Sequence, residues 1–317
     1  MENKPRKILI FRTEHIGDYA ISLPFIKAIR EKYLLAKIDL VVGPWNKEFA
    51  ESTPYVDNII IWDNPLVKRH IKILDFLNPV NIIKIISFFT KVRREKYDFV
   101  IAFSNRKFIK AIIKFFKANR KVAGFDYLEN ESEVERLDRM MSSLGIKKSN
   151  TPIKLKLTKN KEKGVENITR IPARARIVIH PLTPLEEKNW SLENWAELIN
   201  KLNEKNEKII FCIIGTEKDR EKIEFLISKL ISKEHVINLA GKLNIAQTIR
   251  LISKSSLIIG GDSGPVHFAE LTNTPILALF GPTDERRWGF TKKANRIIKK
   301  SKMEEISIEE VLEKINL

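Results

Sequence analysis

Short apolar runs alternate along the chain with stretches of helical periodicity. KILIFR (7–12) is a run of the first kind; polar residues follow from Thr13 to Asp18, and Ile21, Phe25, Ala28 and Ile29 then recur at helical spacing. IDLVVG (38–43), a helix ending near Ser52 and NIIIW (58–62) come next. Beyond a basic helical region, FVIAF (99–103) reads as a buried strand and 106–119 as a helix. Such alternation predicts a parallel sheet covered on both faces. Residues 158–175, polar, marked by Gly and Pro and without an apolar period, read as an interdomain linker.

The second half repeats the alternation. RIVIHP (176–181), KIIFCIIG (208–215), VINLAG (236–241), SLIIGG (256–261) and PILALFG (275–281) read as strands. Between them, Ser191 can N-cap a helix through Leu202, a second helix covers 217–231, Asn244 caps a third to Lys254, and a fourth runs from Ser263 to Leu271. The pattern predicts two α/β, Rossmann-like doubly wound domains, 1–160 and 161–317, facing a central cleft. Ligands of such sheets bind beyond the carboxyl ends of the strands. Residues 307–316 form a short amphipathic helix expected to pack back on the N-terminal domain.

Composition narrows the class. A chain of 317 residues, 43% hydrophobic, carries enough apolar mass for real cores and, at roughly 100–200 residues per domain, about two of them. A single cysteine, Cys212, allows no internal disulfide and fits a reducing, cytoplasmic compartment. MENKPRKILIF is too short for a signal-peptide core, and no apolar run approaches the ~18 residues of a bilayer span.

Charge is uneven. Residues 1–157 hold 30 Lys+Arg and 18 Asp+Glu, and 68–121 alone hold 15 and 3, so this stretch equals the whole N-terminal excess. That field draws nucleic acid, anionic lipid or a phosphorylated substrate, unless Lys simply fills exposed sites in a compositionally biased chain.

Three segments could carry chemistry. In GGDSGPVHFAEL (260–271) a buried strand ends in glycines and a helix begins at Asp262/Ser263, so free amides and the helix dipole would suit a pyrophosphate. The competing reading is an ordinary N-capped helix with His267 as a polar residue. Gly261-Asp262-Ser263-Gly264-Pro265 resembles a serine-protease nucleophile motif, but its strand–helix setting excludes that all-β fold. In HPLTPLEEKNWS (180–191), Thr183 offers a hydroxyl and Lys188 a point charge for phosphate oxygens. Asp219, beyond Gly215, stands where a ribose-diol acceptor would sit, or compensates the first turn of a helix. In Arg12-Thr13-Glu14-His15-Ile16-Gly17-Asp18, a carboxylate could act as general base, with Asp18 as a helix N-cap the competing role. G-x-G-x-x-G, G-x-x-x-x-G-K-[ST] and D-x-D are all missing, and one Cys with scattered His makes no zinc set.

Taken in order, Arg12-Thr-x-x-Ile-Gly-Asp18, Pro24, Lys188-x-Trp190, Gly241-Lys242, Asp262-Ser-Gly-x-x-His267 and Phe280-Gly-Pro-Thr-Asp284 resemble glycosyltransferase family 9, the lipopolysaccharide heptosyltransferases. The resemblance spans roughly residues 7 to 290. It implies the GT-B fold and a metal-independent, inverting transfer from ADP-L-glycero-β-D-manno-heptose to the lipopolysaccharide inner core, with no cofactor. By motif position Asp18 matches the family's base, and Thr183, Lys188, Asp219, Leu243, Asp262, Ser263, Gly264 and His267 match donor-binding positions. Arg12, Thr13 and Gly17 fall on the acceptor side. The implied partners are ADP-heptose or a related nucleotide-sugar and an anionic lipid A-linked acceptor, with peripheral contact to the inner face of the cytoplasmic membrane and no nucleic acid. Family members differ in donor and acceptor, so another nucleotide-sugar and another surface glycan stand as the alternative. A catalytically silent nucleotide- or polyanion-binding protein is a further one.

On 106–117, Lys107, Lys110, Lys114 and Lys117 share one face and Phe108, Ile109, Ile112, Ile113 and Phe116 the other. That helix either contacts anionic lipid or the acceptor, or lays its apolar face on the sheet. The apolar stretch 77–92 is a surface-docking segment or a core helix.

Overall fold

The computed structural model describes residues 4–63, 78–156, 165–171, 175–205, 208–290 and 295–315. The chain divides into two compact units, 1–156 and 157–317, close to the division expected at residue 160.

In the first unit the elements run β1 (Lys7–Arg12), α1 (Ile16–Lys32), β2 (Lys37–Val42), α2 (Lys47–Glu51), β3 (Asn58–Ile61), α3 (Pro79–Arg94), β4 (Phe99–Ala102), α4 (Lys107–Lys114), β5 (Arg120–Val122) and α5 (Glu133–Ser142). The strands form a parallel sheet in the order β3-β2-β1-β4-β5. β1 is central, and Ile8 to Phe11 are fully buried, which is why its sequence is continuous rather than alternating. Chain order reverses between β1 and β4, so the switch point opens beyond Arg12 and Ala102.

The charged helix α4 is resolved in favour of packing. Ile109, Ile112, Ile113 and Phe116 are buried with Phe88 and Val92 of α3 over one face of the sheet. The helix ends at Lys114, earlier than the pattern predicts. α3 behaves differently: only Phe88 and Val92 are buried, while Val80, Ile82, Ile83 and Ile86 face solvent. Residue 77 of the expected stretch lies outside the described residues.

The second unit runs β6 (Ala175–His180), α6 (Leu192–Lys205), β7 (Ile209–Ile213), α7 (Arg220–Ser228), β8 (Val236–Asn238), α8 (Ile245–Ser253), β9 (Leu257–Gly261), α9 (Gly264–Ala269), β10 (Ile276–Phe280), α10 (Glu285–Trp288), β11 (Arg296–Lys299) and α11 (Ile308–Glu313). Its sheet is parallel in the order β11-β10-β9-β6-β7-β8, with the switch between β6 and β9. Ser191 and Asn244 accept from the amides of Asn194 and Gln247, capping α6 and α8 as expected.

One expectation is corrected. Within the supposed linker, residues 165–169 are helical and Val165 is buried; Arg176 donates to the carbonyls of Ile168, Thr169 and Ile171 at the end of that turn. The rest of 158–175 lies outside the described residues, apart from 170, 171 and 175. In the terminal helix α11, Ile308 and Val311 join the core of the second unit, and α11 packs on α6.

Candidate functional site

The second unit gathers its candidates at the carboxyl edge of β6 and β9. β6 ends in His180, β9 in Gly260-Gly261, and His180 pairs with Gly260 in register. A Cβ on Gly260 would come within 2.9 Å of the His180 carbonyl oxygen and of Val266 Cγ2; one on Gly261 would come within 2.9 Å of the Lys188 carbonyl oxygen. Glycine therefore lets the 182–189 loop close over the end of β9. That loop is pinned at its far end by Trp190, fully buried, whose Nε1 donates to the Ile306 carbonyl at 3.0 Å. Asn189 holds it inside: Oδ1 accepts from the Thr183 amide and Nδ2 donates to the Thr183 carbonyl.

Lys188 Nζ thus reaches Asp262 Oδ2 at 2.7 Å. The other oxygen, Oδ1, lies 3.4 Å from His267 Nε2; an ionised carboxylate only accepts, so that nitrogen carries the proton. Burial pushes the Asp262 carboxyl up, but the His267 hydrogen bond and the charges of His267 and Lys188 outweigh it and hold the group down at about 2. His267 is 5% exposed and rests against the ring of Phe290.

Ser263 is the residue preceding α9, yet its Oγ does not cap the helix. It turns instead to His180 Nδ1 at 2.9 Å. Burial lowers His180 to about 4 against a small opposing effect of Asp219, so the imidazole is neutral at ordinary pH. With Asp262 and Ser263 both engaged elsewhere, the amide of Gly264 and its neighbour at Val266 are left without a side-chain cap, and Pro265 has no N–H to satisfy.

Thr183, Lys188, Asp262, Ser263, Gly264 and His267 are therefore brought together. Asp219 and Leu243 sit on the same sheet edge, after β7 and β8, but Asp219 Oδ2 accepts from Thr216 N at 2.7 Å and Thr216 Oγ1 at 2.6 Å, closing the turn before α7. Its carboxylate is engaged in that cap. Leu243 is half-buried ahead of the α8 cap.

In the first unit, Arg12 ends β1 and is buried. Its Nε and Nη2 donate to the Asp18 carbonyl at 3.0 and 2.8 Å, and Nη2 also to Glu133 Oε1 at 2.9 Å. Glu133 is in turn bound by Arg136 through both oxygens and by the Tyr127 hydroxyl at 2.6 Å. Burial raises the Glu133 carboxyl, but Arg12, Arg136 and Tyr127 keep it below the ordinary range. Asp18 is not the N-cap of α1: His15 is, and Asp18, in the first turn, accepts from the His15 amide through Oδ2 at 3.1 Å. Its Oδ1 lies 3.7 Å from Arg12 Nη2, and its side chain is 15% exposed. Thr13 is buried and Gly17 half-buried in the first turn of α1.

His180 and Glu14 lie inside two of the singled-out motifs without a role of their own there, and Glu133 lies outside all of them. Glu14 is 9% exposed, its two oxygens lack hydrogen-bond partners, and Arg12 Nη1 is 3.7 Å away. The signal for His180 was its place as the last residue of a buried strand ahead of a loop already singled out. Glu133 had only a local one, the Ser132–Glu135 capping box that opens α5.

The model of glycosyltransferase family 9 (heptosyltransferase) matches residues 85–316. The chain is 23% identical over 294 residues to the lipopolysaccharide core heptosyltransferase OpsX of Haemophilus influenzae, covering 87% of this chain and 79% of that protein. Among solved structures, a glycosyl transferase family 9 protein from Veillonella parvula matches with a TM-score of 0.78 at 18% identity, over 99% of this chain and 97% of the other. The heptosyltransferase WaaC of Escherichia coli, solved with ADP, matches with a TM-score of 0.71 at 17% identity, over 97% and 98%. These likenesses show the GT-B fold.

Proposed function

The chain belongs to glycosyltransferase family 9 and is a glycosyltransferase, and we propose that it moves a heptose from an ADP-heptose donor to a hydroxyl of a lipopolysaccharide core acceptor, with inversion and without a metal ion. The observation that carries this reading is the start of α9: backbone amides left without a side-chain cap, at the switch point of the sheet, with Lys188 beside them. Departure of a nucleoside diphosphate builds negative charge on its terminal phosphate. Helix-end amides and a fixed ammonium stabilise that charge where many transferases use a divalent cation. Asp262 then serves to orient Lys188 and His267.

Inversion needs one base, to take the proton from the acceptor hydroxyl as its oxygen attacks the anomeric carbon and the glycosyl–phosphate bond breaks. Asp18 supports that role. Its Oδ1 is ion-paired with Arg12 Nη2 at 3.7 Å, which keeps it a carboxylate, and its backbone carbonyl is clamped by the same guanidinium, which fixes the carboxylate's origin. The relatives named above, one a core heptosyltransferase and one solved with ADP, favour heptose and ADP over other donors.

The test is a thermal-shift panel of ADP, GDP, UDP, CMP, ADP-heptose and free pyrophosphate, followed by transfer to Kdo-lipid A with and without EDTA. A ligand at about 100 times its Kd stabilises by about 2.7 kcal/mol, a readable shift. Selective stabilisation by ADP and ADP-heptose, with EDTA-insensitive turnover, is expected. Selectivity for another nucleotide overturns the heptose assignment, and turnover lost in EDTA overturns metal independence.

A further inference from the structure

We propose that Glu14, with the Nη1 side of Arg12, binds a hydroxyl of the acceptor sugar beside the hydroxyl that Asp18 deprotonates, and so helps to select that sugar. The proposal rests on the transfer reading above and adds what the first unit recognises.

Glu14 stands just beyond β1, at the switch point of the first sheet, in the loop that leads to Asp18. Its backbone is fixed: the carbonyl accepts from Trp45 Nε1 at 2.5 Å and from Asn46 Nδ2 at 2.6 Å. Its side chain is not spent on the fold. The residue is only 9% exposed, yet neither carboxylate oxygen has a hydrogen-bond partner. Arg12 Nη1 lies 3.7 Å from Oε2, a spacing that balances charge and leaves the lone pairs unmet. Asn46 adds a third such acceptor. It is fully buried, and its Oδ1, on the same amide whose Nδ2 bonds the Glu14 carbonyl, also lacks a partner. Buried acceptors in one loop that the protein does not satisfy call for donors from outside the chain.

The chemistry narrows the ligand. Arg12 spends Nε and Nη2 on the Asp18 carbonyl and Glu133; among the described residues Nη1 has no acceptor within hydrogen-bond distance. Donor and acceptor thus stand 3.7 Å apart, a gap that one oxygen bridges if it both accepts and donates. An ammonium or metal ion would meet the guanidinium's charge, and a phosphate or carboxylate that of Glu14. A neutral hydroxyl fits both. Asp18 Oδ1 lies at the same 3.7 Å from Nη2, so the two carboxylates flank one planar group, within reach of one sugar. Both Glu14 oxygens are shut from solvent, so the hydroxyl enters as the loop surface yields. His15, exposed, and Trp45, half-buried, carry that surface with their rings 5.9 Å apart.

The test compares the parent and Glu14→Gln on Kdo-lipid A and on analogues that lack single Kdo hydroxyls and still accept the sugar. Glutamine keeps the shape and trades one acceptor oxygen for an NH₂. The acceptor KM should rise about tenfold or more, with kcat within about threefold and with ADP affinity and circular dichroism unchanged. One deoxy analogue should cost the parent a similar factor and the variant little more, because both changes delete the same hydrogen bond. An unchanged acceptor KM overturns the proposal and leaves the carboxylate to an ordered water. So do penalties that add in full for every analogue. A parent that transfers nothing to Kdo-lipid A is a failure of the transfer reading instead, and the site is then read by saturation-transfer NMR with free Kdo and free heptose. Kdo signals that Glu14→Gln removes support the proposal. Signals from heptose alone move the site to the donor sugar and overturn it, as do signals from neither or Kdo signals that the variant retains.

Discussion

Lys188 Nζ lies 2.7 Å from Asp262 Oδ2, and this ion pair joins the two loops that leave the strands flanking the switch point, β6 and β9. Both side chains are mostly buried, 18% and 9% exposed, so removing the ammonium leaves a buried carboxylate held by His267 alone. Lys188→Ala should therefore cost about 1–3 kcal/mol of stability and weaken ADP binding by about tenfold or more. Calorimetric titration with ADP checks the second effect, and unchanged affinity removes Lys188 from the phosphate site.

Acid should destabilise the second unit in two stages. Burial holds His180 at about 4 instead of its ordinary 6.5, so the unfolded chain takes up this proton first; the stability of the neutral form is complete above pH 6.5 and is lost as pH falls to about 4. Asp262, held at about 2 against an ordinary 3.8, contributes stability that is complete above about pH 4 and is lost as pH falls through about 2. The two stages amount to about 3 and about 2 kcal/mol at 1.36 kcal/mol per pH unit. Urea midpoints measured against pH should lose the first slope in His180→Gln and the second in Asp262→Asn. A His180→Gln profile superimposable on the parent would show that the imidazole titrates normally.

The central strands were readable because burial on both faces writes them as unbroken apolar runs: KILIFR, FVIAF and SLIIGG need no partner to be recognised. Of the four edge strands, β3 and β8 were readable and β5 and β11 were not. β5, Arg120–Val122, has two exposed residues of three, and β11, Arg296–Lys299, is a four-residue strand with charged ends. α5 was passed over although Ser132 and Glu135 form a capping box before it. At the site, the glycines, Lys188 and Asp262 were legible as a motif, but their mutual arrangement was not. Ser263 looked like a cap and is instead the partner of His180, 83 residues earlier. Likewise Arg12 meets Glu133 across 121 residues, a pairing that only the docking of α5 on α1 creates.

Asp18→Asn should abolish most transfer while leaving donor binding intact. The substitution keeps the backbone carbonyl that Arg12 clamps and an oxygen able to accept from the His15 amide, so the loop geometry survives. What it removes is proton acceptance, an effect of about 10²–10⁴ in kcat for a general base. The thermal shift with ADP should match the parent. Turnover within a few-fold of the parent would take the base role away from Asp18.

Gly260→Ala tests whether the closeness of β6 and β9 matters to the site. The added methyl would lie 2.9 Å from the His180 carbonyl oxygen and 3.2 Å from its Cβ, with Val266 Cγ2 at 2.9 Å on the other side. None of these can move freely, because the carbonyl belongs to a central strand and Val266 is fully buried. Overpacking of this kind costs about 1–3 kcal/mol, and pushing His180 should loosen its contact with Ser263. A lower melting temperature with weaker ADP binding is expected; a variant as stable as the parent would mean that the strands separate without cost.

Glu133→Gln should be among the most destabilising single changes in the first unit. The carboxylate is 2% exposed and accepts from Arg12, from Arg136 twice and from Tyr127, so it compensates two buried guanidinium groups at once. Glutamine retains one acceptor oxygen, aims an NH₂ at a cation and leaves two buried positive charges near only Glu14 and Asp18. Loss of one partner from a buried ionic cluster costs about 3–5 kcal/mol. Arg12 would then lose the acceptor that steers its fork onto the Asp18 carbonyl, so transfer should fall together with the melting temperature, whereas Glu133→Asp, which keeps the charge, should recover part of both. Equal losses in the two variants would point to packing rather than charge as the reason this residue is a glutamate.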